Sequence, residues 1–116
     1  MRVAIPVSDG RVERVFDSAT ALMVIDLRDG GRGNYFETPL RIRSMRNRAR
    51  ELAAMRVDLL LCNEISHALE SLITAYGIDV QSQNAGTVDE VMEAFVDQHP
   101  FRRHSSDDQS PVLVAV

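Results

Sequence analysis

The chain has 116 residues, 45% of them apolar and 26% charged, with a formal net charge of −4 at pH 7. That length supports one hydrophobic core, and the acidic balance argues against a nucleic-acid partner, which needs a basic footprint. No run approaches the roughly 18–20 apolar residues of a membrane span, and a lone cysteine with a strand-like start that leaves no room for a signal peptide points to the cytoplasm.

Arg2 to Val7 alternates, with Val3, Ile5 and Val7 on one face, and reads as a first strand. Ser8-Asp9-Gly10 follows as a turn. Ala21 to Leu27 is a second strand. Asp29-Gly30-Gly31 is a hairpin signal that leads to a third strand around Gly33 to Thr38, closed by Pro39.

From Ser44 the period changes to that of a helix, with Met45, Ala49, Leu52 and Ala53 on one face. The turn at Met55-Arg56-Val57 has no glycine, so a left-handed Arg56 there would cost about 1 kcal/mol. Next comes Val57-Asp-Leu-Leu-Leu-Cys62, a strand that ends in Asn63-Glu64-Ile65. Ser66 is the expected N-cap of a helix carrying Leu69, Leu72 and Ile73, and Gly77 stops it. A fifth strand starts at Ile78 and runs out at Asn84-Ala85-Gly86. Thr87-Val-Asp-Glu90 matches a capping box for a last helix with Val88, Val91, Met92 and Phe95 as its stripe. Residues 98–116 read as a polar, flexible tail after a domain at 1–97, and Pro111–Val116 fits either an edge strand or a disordered end.

The pattern βββαβαβα, with right-handed crossovers, predicts an α/β domain. Its mixed five-stranded sheet has order 3-2-1-4-5, strands 1, 4 and 5 parallel, and helices on both faces. Ligands in such sheets bind beyond the carboxyl ends of the strands, where the order reverses. The expected crevice therefore lies between Ser8, the loop Cys62-Asn63-Glu64, and Asn84.

Several stretches resemble the dinitrogenase iron-molybdenum cofactor biosynthesis family. They are the opening Arg2-Val-Ala-Ile-Pro-Val-Ser8, the Val12–Ala19 segment with Phe16, the Val57–Cys62 strand and the ending Asn84-Ala-Gly-Thr-Val-Asp-Glu-Val-Met-Glu-Ala-Phe95. The resemblance implies a ribonuclease-H-like fold and a small, non-catalytic carrier for the iron-molybdenum cofactor or its precursors. Some relatives bind other molybdenum-containing sulfide clusters, so a molybdenum, iron or copper sulfide is the implied ligand, and other cofactor-assembly proteins are the implied partners. Two departures stand out. Many members have His-Phe-Gly-Arg-Ala where this chain has Val15-Phe16-Asp17-Ser18-Ala19, and Cys-Gly-Gly-Ile-Gly where it has Cys62-Asn63-Glu64-Ile65-Ser66. Side chains thus replace glycines that would let backbone N–H groups approach a ligand.

Cys62 at a strand end is the candidate soft metal ligand, with a thiol pKa lowered by the following helix N-terminus; the competing reading is an inert core cysteine. His67, on the first turn of that helix, is the second metal candidate, against a plain surface histidine. Ser8, Phe16, Asn63, Glu64 and Asn84 line the expected crevice. All thirteen basic residues are arginine, and Arg41, Arg43, Arg46 and Arg48 cluster at the start of the first helix. Their guanidinium forks suit an anionic ligand, or else form a solvated helix face. His99 and His104 read as solvated. Strand 1 lacks the acid a ribonuclease-H-type nuclease would need, and no nucleophile–base pair marks another enzyme. An interaction or regulatory module that has lost the cluster site is the alternative to the carrier.

Overall fold

The computed structural model describes residues 1–28, 31–41 and 44–98. Arg43, His99, His104 and Pro111–Val116, all singled out above, lie outside the described residues, as does the Asp29-Gly30 corner. In chain order the elements are β1 (Arg2–Ser8), β2 (Arg11–Val12), a 3₁₀ turn (Phe16–Ser18), β3 (Ala21–Arg28), β4 (Gly31–Pro39), α1 (Met45–Ala54), β5 (Leu59–Leu61), α2 (His67–Ala75), β6 (Asp79–Gln81) and α3 (Val88–Gln98).

The strands form one mixed sheet in the order β4-β3-β1-β5-β6, with β2 attached to β1. β1 runs parallel to β5 and β5 to β6, while β3 is antiparallel to both β1 and β4. Among the described residues the sheet therefore has six strands, not the five expected. The extra one follows from the Asp9-Gly10 corner. Both residues take positive φ, 52° and 77°, the conformation of a tight two-residue hairpin whose twist matches its strands. Val12 is thereby set opposite Val7 and Arg11 opposite Ser8.

Each face of the sheet has its own core. On one, Ala4, Leu22, Val24 and Leu60 pack under Ala49 and Leu52 of α1 and Leu69 and Ile73 of α2. On the other, Val3, Ile5, Ile25, Leu59 and Leu61 pack under Val88, Val91, Met92 and Phe95 of α3. β5 is buried on both sides, which is why it reads as three consecutive leucines rather than an alternation. The expected helix signals are in place: Ser44 and Ser66 each accept a hydrogen bond three residues on, from Asn47 and Leu69. Thr87 and Glu90 bond reciprocally to each other's backbone N–H. Those bonds hold the Glu90 carboxyl below its usual range. Arg56 adopts φ 60° between α1 and β5. Among the described residues no helix is long and apolar enough to cross a membrane.

Candidate functional site

The parallel strands β1, β5 and β6 end side by side, so the loops after them meet at one edge of the sheet. The Cys62–Glu64 loop sits between the other two. On one flank Cys62 N donates to Gln81 O at 3.0 Å, and Asn84 N and Gln83 N donate back to Cys62 O and Asn63 O at 3.0 and 2.7 Å. On the other flank Glu64 N donates to Arg14 O at 3.0 Å and Phe16 N to Glu64 O at 2.8 Å. The chain after β2 thus crosses the sheet edge as a strap. Val12 N to Gly86 O and Val88 N to Gly10 O anchor its start to the loop that opens α3.

The structure does bring Asn63, Glu64 and Asn84 together, but what they frame is not an open crevice. Glu64 uses its backbone N–H and carbonyl to hold the strap, while Asn63 O and Asn84 N join the loops after β5 and β6. The Asn84 amide is also turned inward, donating to Gln81 O, Cys62 O and Ser82 O at 2.9 to 3.3 Å. Glu64 is exposed and pairs with Arg14 at 3.4 Å, a solvent-screened contact worth little to stability. Ser8 and His67 are exposed, and Phe16 is buried beneath the strap. Most backbone groups of the Cys62–Glu64 loop are committed to the fold.

Cys62 stands at the C-terminal end of β5, yet its side chain is wholly buried, in the core with Phe16, Ala19, Leu69 and Ile73. Burial pushes its thiol up to about 12, and the carboxylates of Glu70 and Asp17 add to the shift. This corrects the expectation of a lowered pKa: loss of hydration disfavours the thiolate more than the α2 terminus helps it. Among the described residues no three His, Cys, Asp or Glu side chains gather to hold a metal ion.

The arginine cluster divides. Arg46 is exposed at the start of α1, and Arg41 flanks a cavity of about 560 Å³ shared with Asp17, Ser18, Thr20, Leu40 and Arg48. Arg48, grouped with them in the sequence, is 2% exposed. It donates to Phe16 O at 3.2 Å and Ala19 O at 2.6 Å and lies over the Phe16 ring, 5.6 Å from its centre. Arg48 is a clamp on the 3₁₀ turn, not a surface ligand for anions. A signal for this was present: Arg48 lies three residues after Met45 and four before Leu52, on the apolar stripe.

Asp17 was not singled out in the sequence, yet it ties the strap to α2. Its carboxylate accepts from Ser66 N at 2.8 Å and Ser66 Oγ at 2.5 Å, while the same hydroxyl caps α2 through Leu69 N. Ser66→Ala removes the cap and one of the two strap bonds. A loss of about 1 to 2 kcal/mol is expected, read as a lower urea midpoint at unchanged slope.

The model of the family described as dinitrogenase iron-molybdenum cofactor matches residues 1–98, which takes in every element of the fold. The chain belongs to the dinitrogenase iron-molybdenum cofactor family. Solved structures with the same fold include PH0822, with a TM-score of 0.78 at 19% identity over 84% of this chain and 91% of that one. They also include a Methanocaldococcus jannaschii protein provisionally named a dinitrogenase, with a TM-score of 0.69 at 14% identity over 84% and 89%. A third is the apo form of the orange protein of Desulfovibrio gigas, with a TM-score of 0.69 at 24% identity over 84% and 88%. At these identities the likeness to the solved members speaks for the fold alone. A search of curated proteins gives no significant match.

Proposed function

We propose that this protein is a non-catalytic, cytoplasmic carrier. It would hold a metal–sulfur cofactor or precursor, of iron-molybdenum or another molybdenum, iron or copper sulfide type, and pass it to other cofactor-assembly proteins. Family membership across residues 1–98 carries this reading. We read the fold as ribonuclease-H-like, with residues 1–97 as the binding domain and 98–116 as a tail.

The cargo is anionic and must be released, so a site of charge and hydrogen bonds suits it better than a closed set of covalent ligands. The cavity beside the 3₁₀ turn supports such a site, with the exposed guanidinium of Arg41 on its rim and the Thr20 hydroxyl in its lining, while Ser18 Oγ donates to Val15 O. Arg46 adds an exposed guanidinium at the start of α1, and His67 offers an exposed imidazole at the start of α2; Arg43, also assigned to the site, lies outside the described residues. Ser8, Asn63, Glu64 and Asn84, after the parallel strands, are the remaining polar groups assigned to the site in this reading. Cys62 can ligate a metal only if the Phe16–Ala19 turn lifts from it, so in this reading its sulfur is a second-stage contact at most.

Anaerobic reconstitution with iron, molybdate, sulfide and copper should yield a coloured protein with metal by elemental analysis. Arg41→Gln with Arg46→Gln should then weaken binding by about tenfold or more, since charge-assisted hydrogen bonds are lost, and high salt should do the same to the unaltered protein. The melting temperature should barely move. A second reading, an interaction module without cargo, draws on the loop after β5, where Asn63 and Glu64 stand and the Cys62 and Glu64 N–H groups are already bonded. A colourless, metal-free protein after reconstitution would favour it.

A further inference from the structure

We infer, resting on the carrier reading above, that the Asp17 carboxylate latches the cargo site: it stands where an anionic cargo binds, at the start of α2, and the cargo displaces it on entry. Asp17 is the middle residue of the 3₁₀ turn Phe16–Ser18. Its Oδ1 accepts from Ser66 N at 2.8 Å and its Oδ2 from Ser66 Oγ at 2.5 Å, across 49 residues of sequence. α2 has a cap without it, since Ser66 Oγ accepts from Leu69 N at 3.2 Å. Asp17 therefore adds a second, anionic acceptor at a helix start, where N–H groups and the helix dipole favour negative charge.

Asp17 also lines the cavity of about 560 Å³, together with Arg41 and Arg48. One tethered negative charge thus shares a cavity with two guanidinium groups and holds the N–H and O–H of Ser66. An anionic metal sulfide draws on the same donors, so the tethered and the free anion compete, and binding of one favours release of the other. Both Ser66 bonds are exposed to water. An incoming anion can replace the carboxylate there without leaving a buried polar group unpaired.

Release of Asp17 reaches Cys62. Phe16 and Ala19, on either side of Asp17, are wholly buried in the same core as the thiol. Arg48 fastens the turn to α1, Phe16 N fastens it to Glu64 O at 2.8 Å, and Asp17 fastens it to α2. The Arg48 bonds are buried and those of Asp17 exposed, so the fastening to α2 is the one a ligand from solution reaches first. Undoing it loosens the cover over Cys62. Cargo entry and the uncovering of the thiol are then one event.

The test uses the full chain under anaerobic conditions, tetrathiomolybdate as the anion, and the variants Asp17→Asn and Glu70→Gln. Glu70 is the control. It lies on the first turn of α2 and, like Asp17, adds to the raised pKa of Cys62, but its carboxylate makes no bond to Ser66. Asp17→Asn should bind the anion at least about tenfold more tightly, because a site open in about a tenth of the molecules binds with that fraction of its intrinsic affinity. Glu70→Gln should tighten binding by no more than about threefold, the effect of one screened charge. In the unaltered protein the anion should speed hydrogen exchange of the Phe16 and Ala19 amides at least about tenfold, with amides of β1 unchanged. Binding that leaves those two amides as slow as in the free protein would overturn the latch. So would equal tightening in the two variants, and either result leaves the carrier reading standing. No binding by any of the three proteins would overturn the carrier reading and the latch with it.

Discussion

Arg48→Ala is expected to destabilise the protein by about 3 kcal/mol, because hydrogen bonds from a charged donor are worth roughly 1.5–3 kcal/mol each. The guanidinium bonds the carbonyls of Phe16 and Ala19 and covers the Phe16 ring. Removing it leaves Ala19 O, accepted at 2.6 Å, without that donor in a buried site and opens a void under the turn. For a domain this size the melting temperature should fall by about 15 °C. Arg48→Lys should recover only part of the loss, since one ammonium cannot reproduce a planar fork spanning two carbonyls. Urea unfolding decides the matter: a change within about 0.5 kcal/mol is what a solvated helix face would give. The neighbouring Arg46→Ala is the control and should show that small effect.

Cys62 should be unreactive toward a thiol reagent in the folded protein, and should label only as fast as the core opens. Its wholly buried side chain and raised pKa both require this. The pH dependence carries a definite sign. The folded-state value of about 12 stands above the ordinary 9.0, so the folded state prefers the thiol. The stability tied to that preference is complete below pH 9 and is lost as pH rises toward 12. Its slope approaches about 1.4 kcal/mol per pH unit, and the whole span amounts to no more than about 4 kcal/mol. Unfolding curves at pH 8, 9 and 10 for the native chain and Cys62→Ala isolate it from the tyrosines and arginines, because the alanine protein lacks only this slope. A steep slope that persists in Cys62→Ala would contradict the burial argument. Cys62→Ser should cost about 1 kcal/mol or more, by placing a hydroxyl in an apolar site. The two predictions are coupled: Arg48→Ala loosens the turn that covers Cys62, so labelling should accelerate in that variant.

Local chemistry made much of this molecule legible in its sequence. Change of period from two to 3.6 marked the strands and helices, since side chains alternate on a strand and return every three to four residues on a helix. Ser66, and Thr87 with Glu90, marked helix starts because each cap is satisfied within three residues. The turn at Arg56 was legible for the same reason. Quoted stretches from Arg2 to Phe95 carried the family resemblance. β2 was missed because two residues give no period to read, and its existence depends on the Asp9-Gly10 corner turning back onto β1.

The character of the site was decided by contacts between residues far apart in the chain. Arg48 looks like its neighbours in sequence, but the turn 29 to 32 residues upstream supplies the carbonyls that draw it inward. Cys62 ends a strand, as its sequence implies, yet a strap from residues 10–16 and the 3₁₀ turn cover that end and remove the thiol from water. The crevice inferred from strand order is present as an edge and closed as a cavity, because backbone hydrogen bonds from Arg14, Phe16 and Asn84 take up the loop that would line it. Period and capping are short-range properties and can be read along the chain. Burial is set by whatever segment arrives from elsewhere, and only the folded arrangement fixes which one does.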